Sequence, residues 1–114
     1  MESSIEIYKS DNNSIEVLVS LDKDTVWLNR QQLALLLDRD VKTIGKHIAN
    51  VFKEGELSES STVVKFATVQ MEGNRQIKRQ IEHYNLDVII SVGYRVKSQR
   101  GTHFRQWATK RLKD

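Results

Sequence analysis

Residues 41–53, Val-Lys-Thr-Ile-Gly-Lys-His-Ile-Ala-Asn-Val-Phe-Lys, set cationic and amide side chains at helical spacing. At about 100° per residue, Lys42, Thr43, Lys46, Ala49, Asn50 and Lys53 share one side, with His47 at its edge. Val41, Ile44, Ile48, Val51 and Phe52 share the other. Lysine can pair with guanine, asparagine with adenine, and threonine with a thymine methyl group or a phosphate. His47 could reach a phosphate. These are the residue types of a helix that reads a DNA major groove. A second set, Arg75, Lys78 and Arg79, follows the turn Glu72-Gly73-Asn74 and could neutralise phosphates beside that groove. Each set also has a plainer reading: the solvated side of an amphipathic helix, and a hairpin kept soluble by charge.

A third block, residues 93–108, interleaves Tyr94, Phe104 and Trp107 with Arg95, Lys97, Arg100 and Arg105. Such interleaving suits single-stranded nucleic acid. The helical spacing of Phe104, Trp107 and Ala108 argues instead that the aromatics are core. Catalysis finds little support. His47, His83 and His103 have no metal-ligand spacing, there is no cysteine, and no Gly-rich phosphate loop or nucleophile motif occurs. The expectation is no chemistry, no metal and no cofactor.

Positioning these residues takes a scaffold, and the 114 residues suffice for one domain. No apolar run approaches the roughly 18 residues of a membrane span, and the N-terminus lacks the pattern of a signal peptide, so the expected compartment is the cytoplasm. The net charge of +3 is uneven: residues 1–40 carry four basic and eight acidic residues, residues 41–114 fourteen and seven. A basic C-terminal part suits a polyanion partner, and the acidic N-terminal part is expected to face away from it.

Ser4–Tyr8 and Ile15–Val19 read as a hairpin around the turn cluster Ser10–Ser14. After Asp22-Lys23-Asp24, Thr25–Leu28 reads as a third strand, making residues 1–28 a β meander. Asn29 caps a helix over Arg30–Leu37, Asp38-Arg39-Asp40 forms a turn, and Asp40 caps the helix that begins at Val41. Residues 29–53 are thus a helix-turn-helix, with small Ala34 at the crossing and buried Ile44 ten positions later. Gly55 is the expected residue after the helix end. Gly45, inside the second helix, costs about 1 kcal/mol relative to alanine. Residues 60–84 read as a β-hairpin, the wing of a winged helix. Two helices follow, over Leu86–Val96 and about Thr102–Lys113, joined by the linker Lys97–Gly101. The uncapped end suggests the N-terminal part of a longer protein.

Thr25-Val26-Trp27-Leu28, residues 47–57 and the long block 84–109, with its Tyr-Asn-Leu-Asp, Ser-Val-Gly-Tyr-Arg-Val and Arg-Gly-Thr-x-Phe-Arg-x-Trp-Ala segments, carry a resemblance. The chain resembles the N-terminal domain of the RhuM family, bacterial proteins described as virulence-associated or DNA-binding. The resemblance implies a cytoplasmic protein, linked to mobile or defence gene clusters, that continues past this point. Family members tend to have glycine and an apolar residue where this chain has Asp38 and Arg39.

The expected fold is α+β, a winged helix-turn-helix with an N-terminal β meander and two additional C-terminal helices. The expected function is double-stranded DNA binding, as a transcription regulator, with the second helix (about 41–52) in the major groove and the wing and basic C-terminal helices on phosphates, through Lys42, Thr43, Lys46, His47, Asn50, Lys53, Arg75, Lys78 and Arg79. A homodimer would double these contacts on two half-sites. The rival is a protein–protein interaction module, with a nuclease a distant third.

Overall fold

Runs of β-branched residues open the chain, and they pair. In the computed structural model, which describes residues 4–10, 15–22 and 24–113, strand β1 (Ser4–Lys9) lies antiparallel to β2 (Glu16–Leu21), with Tyr8 opposite Val17 and Ile7 opposite Leu18. β3 (Val26–Asn29) continues the meander, with Trp27 opposite Ser20. Helices α1 (Arg30–Leu37) and α2 (Val41–Lys53) follow, then the single-turn α3 (Glu59–Thr62). β4 (Val63–Glu72) and β5 (Arg75–Tyr84) form a hairpin around Gly73, whose φ of 63° suits glycine. α4 (Leu86–Arg95) and α5 (Gln99–Lys113) complete the described chain.

The five strands form one sheet in the order β1-β2-β3-β5-β4. The late hairpin joins the early meander at its base, where Leu28 lies opposite Tyr84 and Asn29 opposite His83. With ten residues per strand, the hairpin runs about 30 Å at about 3.3 Å per residue. Side chains alternate across the sheet. Val17, Val19, Val26, Leu28 and Tyr84 form its helix side and join one core with Leu33, Leu36, Leu37, Ile44, Val51, Val88, Val92 and Phe104. On the far side, Trp27 and His83 are buried around Phe66, in edge-on ring contacts of 6.1 and 4.8 Å.

Three sequence-based boundaries shift. The wing was expected from residue 60, but residues 59–62 form α3 and the strand starts at Val63. Hydroxyl groups explain this: Thr62 Oγ1 donates to the Ser58 carbonyl at 2.7 Å and Ser61 Oγ at 3.3 Å, which favours a turn over a ladder. α4 ends at Arg95, with Val96 as its cap residue. The expected linker Lys97–Gly101 is shorter, because α5 begins at Gln99. Gly101 sits inside that helix for close packing: a methyl group there would lie 3.2 Å from Leu37 Cδ2 and 3.5 Å from Gly93 Cα. Val41, expected on the buried stripe, is 39% exposed, because it lies at the open first turn of α2. The expected turns at Ser10–Ser14 and Asp22–Asp24 lie largely outside the described residues.

Candidate nucleic-acid interface

The orientation of α2 is set first by its neighbours in sequence. Asn29 Oδ1 accepts from Gln32 N and Gln32 Oε1 from Asn29 N, both at 2.8 Å, a reciprocal cap that fixes the start of α1. α1 buries Leu33, Ala34, Leu36 and Leu37 and ends at Asp38. Asp38 adopts the left-handed conformation (φ 55°, ψ 52°), which aspartate tolerates better than most residues. Asp40 then accepts from Lys42 N at 3.0 Å and Thr43 N at 3.3 Å, capping α2.

The two departures in this turn have tertiary uses. Arg39 lies exposed, and its guanidinium donates to the Val96 carbonyl at 2.8 Å and the Asp38 carbonyl at 3.0 Å. Asp38 pairs with Arg100 at 3.4 Å, and Ser98 Oγ donates to the Leu37 carbonyl at 3.3 Å. The turn between α1 and α2 is thereby tied to the corner between α4 and α5. At the other end of α2, Arg95 of α4 pairs with Glu54 at 2.8 Å and Glu56 at 2.9 Å, and Ser91 Oγ donates to Glu56. Hydrogen bonding to Arg95 holds the Glu54 carboxyl below its usual range. Ser91 first, and then Arg95, does the same for Glu56. Gly55 follows at φ 76°, as expected of a residue just past a helix end.

Held at both ends, α2 buries Ile44, Ile48 and Val51 and leaves Lys42, Lys46, Ala49 and Lys53 exposed. Thr43, His47 and Asn50 are half-buried at the margin. The helix carries no carboxylate. His47 Nδ1 is shielded from solvent with no hydrogen-bond partner among the described residues.

The hairpin candidates divide. The register places Lys78 on the side of Gln80, Glu82 and Tyr84, which at the base of the hairpin faces the helices. Arg75 and Arg79 alternate onto the far side, with Ile77, Ile81 and His83. Arg79 also pairs with Glu72 at 2.8 Å. Strand alternation, readable in the sequence, separates Lys78 from its two neighbours, whereas which side meets the helices required the fold.

A residue outside the sequence-based set lies closer to α2. Arg30, the first residue of α1, lays its guanidinium along Gly45. A methyl group at Gly45 would stand 3.1 Å from Arg30 Cζ and Nη1 and 3.4 Å from Nε. The glycine that looked like a flaw in α2 therefore makes room for a cation on its flank. Arg30 borders a hollow of about 460 Å³ between the first turns of α1 and α2 and the base of β5, shared with Gln31, Val41, Gln80, Glu82 and Tyr84. There the Tyr84 hydroxyl donates to Glu82 at 3.2 Å. Burial raises the tyrosine pKa, Glu82 adds to that, and Arg30 opposes it. The only sequence signals for Arg30 were a cation in the first helical turn and an interior glycine downstream.

Among the described residues, no helix is long and apolar enough to cross a membrane. Residues 61–114 match the family model described as Virulence protein RhuM family. The match takes in the hairpin, α4 and α5 and leaves α1 and α2 outside it. No curated protein and no solved structure matches the chain.

Proposed function

We propose that the chain, whose residues 61–114 match the Virulence protein RhuM family model, folds as a winged helix-turn-helix and binds double-stranded DNA. α2 enters the major groove, and the β4–β5 hairpin is the wing. The observation that carries this reading is the outward side of α2. Lys42, Lys46 and Lys53 are exposed opposite buried Ile44, Ile48 and Val51, on a helix with no carboxylate. The three-residue turn with Asp38 in the left-handed conformation supports it, as does Ala34, 7% exposed in the core. Lys42 and Lys46 supply groove or phosphate contacts, and Asn50 is placed for an adenine. Thr43, His47 and Lys53 flank them. Arg30 and Lys78 hold phosphates from the helix side, and Arg75 reaches the backbone from the hairpin tip. A homodimer doubles these contacts on two half-sites.

Fluorescence anisotropy with a random-sequence duplex tests the reading. Wild type binds at low salt, and Lys42→Ala/Lys46→Ala weakens binding about tenfold or more. The double substitution also lowers the slope of log K against log salt by about 0.9 for each phosphate that is no longer neutralised. No binding by wild type, or equal affinity in the variant, refutes it.

One observation favours a protein-interaction module instead. Ile5, Ile7 and Leu18 are 71%, 52% and 54% exposed. Ile7 and Leu18 are paired across β1 and β2, and Ile5 is two residues along the same side. Exposed apolar residues gathered on one sheet side suit a protein partner. Binding to such a partner would respond weakly to salt, whereas duplex binding would respond steeply.

A further inference from the structure

Of the aromatics in the C-terminal block, Phe104 is fully buried and Trp107 half-buried, stacked edge-on to Tyr8 at 5.1 and 5.3 Å. These two are core, as their spacing implied. Tyr94 departs from them: it is 86% exposed near the end of α4. Its ring is thus outside the core, with both faces open to a ligand.

Tyr94 forms one wall of a hollow of about 620 Å³ between α4 and α5, within the ~300–1,000 Å³ range of ligand pockets. Gly93 and Gly101 line its floor, where the two helices approach closely. Ile90 adds an apolar edge, and Lys97, Thr102 and Arg105 supply hydrogen-bond donors. Arg105 also borders the next hollow along α5, about 370 Å³, with Gln106, Thr109, Lys110 and Lys113. Among the described residues, no carboxylate lines either hollow. Thr102, Arg105, Gln106, Thr109 and Lys113 fall at i, i+3, i+4, i+7 and i+11, one stripe about 16 Å long.

An exposed ring at the head of a track of cations and neutral donors matches the chemistry of a single strand. A base can stack on a ring whatever its identity, and the backbone follows the cations. A B-form duplex keeps its bases stacked on one another, so it cannot use such a ring. We propose that the outer face of α4 and α5 binds a single-stranded nucleic acid, with one base on Tyr94 and phosphates on Lys97, Arg105 and Lys113. This site uses none of the α2 or hairpin residues and stands independently of the duplex reading.

The test uses a labelled oligothymidine of about 12 nucleotides, within the ~4–16 nucleotides typical of single-strand sites, titrated with the full chain and followed by anisotropy. Tyr94→Ala weakens binding by about fivefold or more, and Tyr94→Phe keeps it within about twofold. Arg105→Gln weakens binding and lowers the salt slope by about 0.7. Both positions are exposed or at a rim, so thermal melts of the variants stay at the wild-type value. Lys42→Ala/Lys46→Ala leaves oligothymidine binding unchanged, which separates this site from the duplex face. The proposal is overturned if wild type does not bind the oligonucleotide at low salt, or if Tyr94→Ala binds as wild type does. It is also overturned if Tyr94→Ala changes only the sedimentation of the free protein, because the face would then join copies of the chain.

Discussion

Replacing Gly45 with alanine sets two effects against each other at one atom. Alanine is favoured over glycine inside a helix by about 1 kcal/mol. Against this, the new methyl group meets the Arg30 guanidinium at 3.1 Å, closer than an ordinary contact. The obstacle is the far end of a flexible, exposed side chain. It swings aside at a cost of about 0.5 kcal/mol, the low end for an off-rotamer side chain, because its far end is free to move into solvent. The helix gain wins, and Gly45→Ala should stabilise the fold by somewhat under 1 kcal/mol. For a chain of this size that raises Tm by about 3–5 °C. On the proposed duplex reading, the displaced cation has a separate expected outcome: duplex affinity should fall, and the salt slope should drop by about 0.9, the equivalent of one phosphate. Urea unfolding and duplex anisotropy on wild type, Gly45→Ala, Arg30→Ala and the double variant close a mutant cycle. In the Arg30→Ala background, Gly45→Ala should deliver the full helix gain and leave the weakened DNA affinity where it is. Equal stability gains in both backgrounds, with DNA affinity untouched by Gly45→Ala, would refute the assignment of Gly45 to Arg30. A loss of more than about 1 kcal/mol in both backgrounds would place the glycine's constraint elsewhere, since propensity alone predicts a gain.

Gly101→Ala should have the opposite sign. Its methyl group meets Leu37 Cδ2 at 3.2 Å and the backbone of Gly93 at 3.5 Å inside the core, and overpacking there costs about 1–3 kcal/mol in urea unfolding. At the turn, Asp38→Gly relieves a left-handed residue and should be neutral or stabilising by up to about 1 kcal/mol, whereas Asp38→Ala should destabilise by about 1 kcal/mol. Equal effects of the two would show that the loss comes from the exposed pair with Arg100. His83 is 5% exposed, with its ring against Phe66 and Nδ1 2.9 Å from the Ile81 carbonyl. Burial lowers its pKa from 6.5 and the Ile81 carbonyl partly opposes this, so the folded state binds fewer protons than the unfolded one. The stability this gives is complete above about pH 6.5 and is lost as pH falls through the folded value. Tm should decline on going from about pH 7.5 to 5.5, and His83→Gln should flatten that decline. Glu54 and Glu56, both held below 4.5, titrate in a lower window and do not contaminate it.

What the sequence determined alone is what forms within a few residues. Asn29 and Asp40 cap the helices that follow them because each reaches a backbone N–H two or three positions on. The stripe Ile44, Ile48, Val51 gave α2 its buried side by periodicity, and Gly73 gave the hairpin its turn. The lysines of α2 were readable for the same reason: a helix side is a local property. The long-range decisions went to the fold. Phe104 and Tyr94 are both aromatics on amphipathic helices, yet one is sealed and the other stands in solvent, because only packing decides which helix side meets a neighbour. Gly45 read as a weak point in a helix and Gly101 as the end of a linker, but one accommodates a mobile arginine and the other, inside α5, the close approach of α4. Arg39 looked misplaced in the turn until the end of α4 brought the Val96 carbonyl to it. A glycine or a charge states that something must be near it, and the identity of that neighbour is set by contacts between residues far apart in sequence.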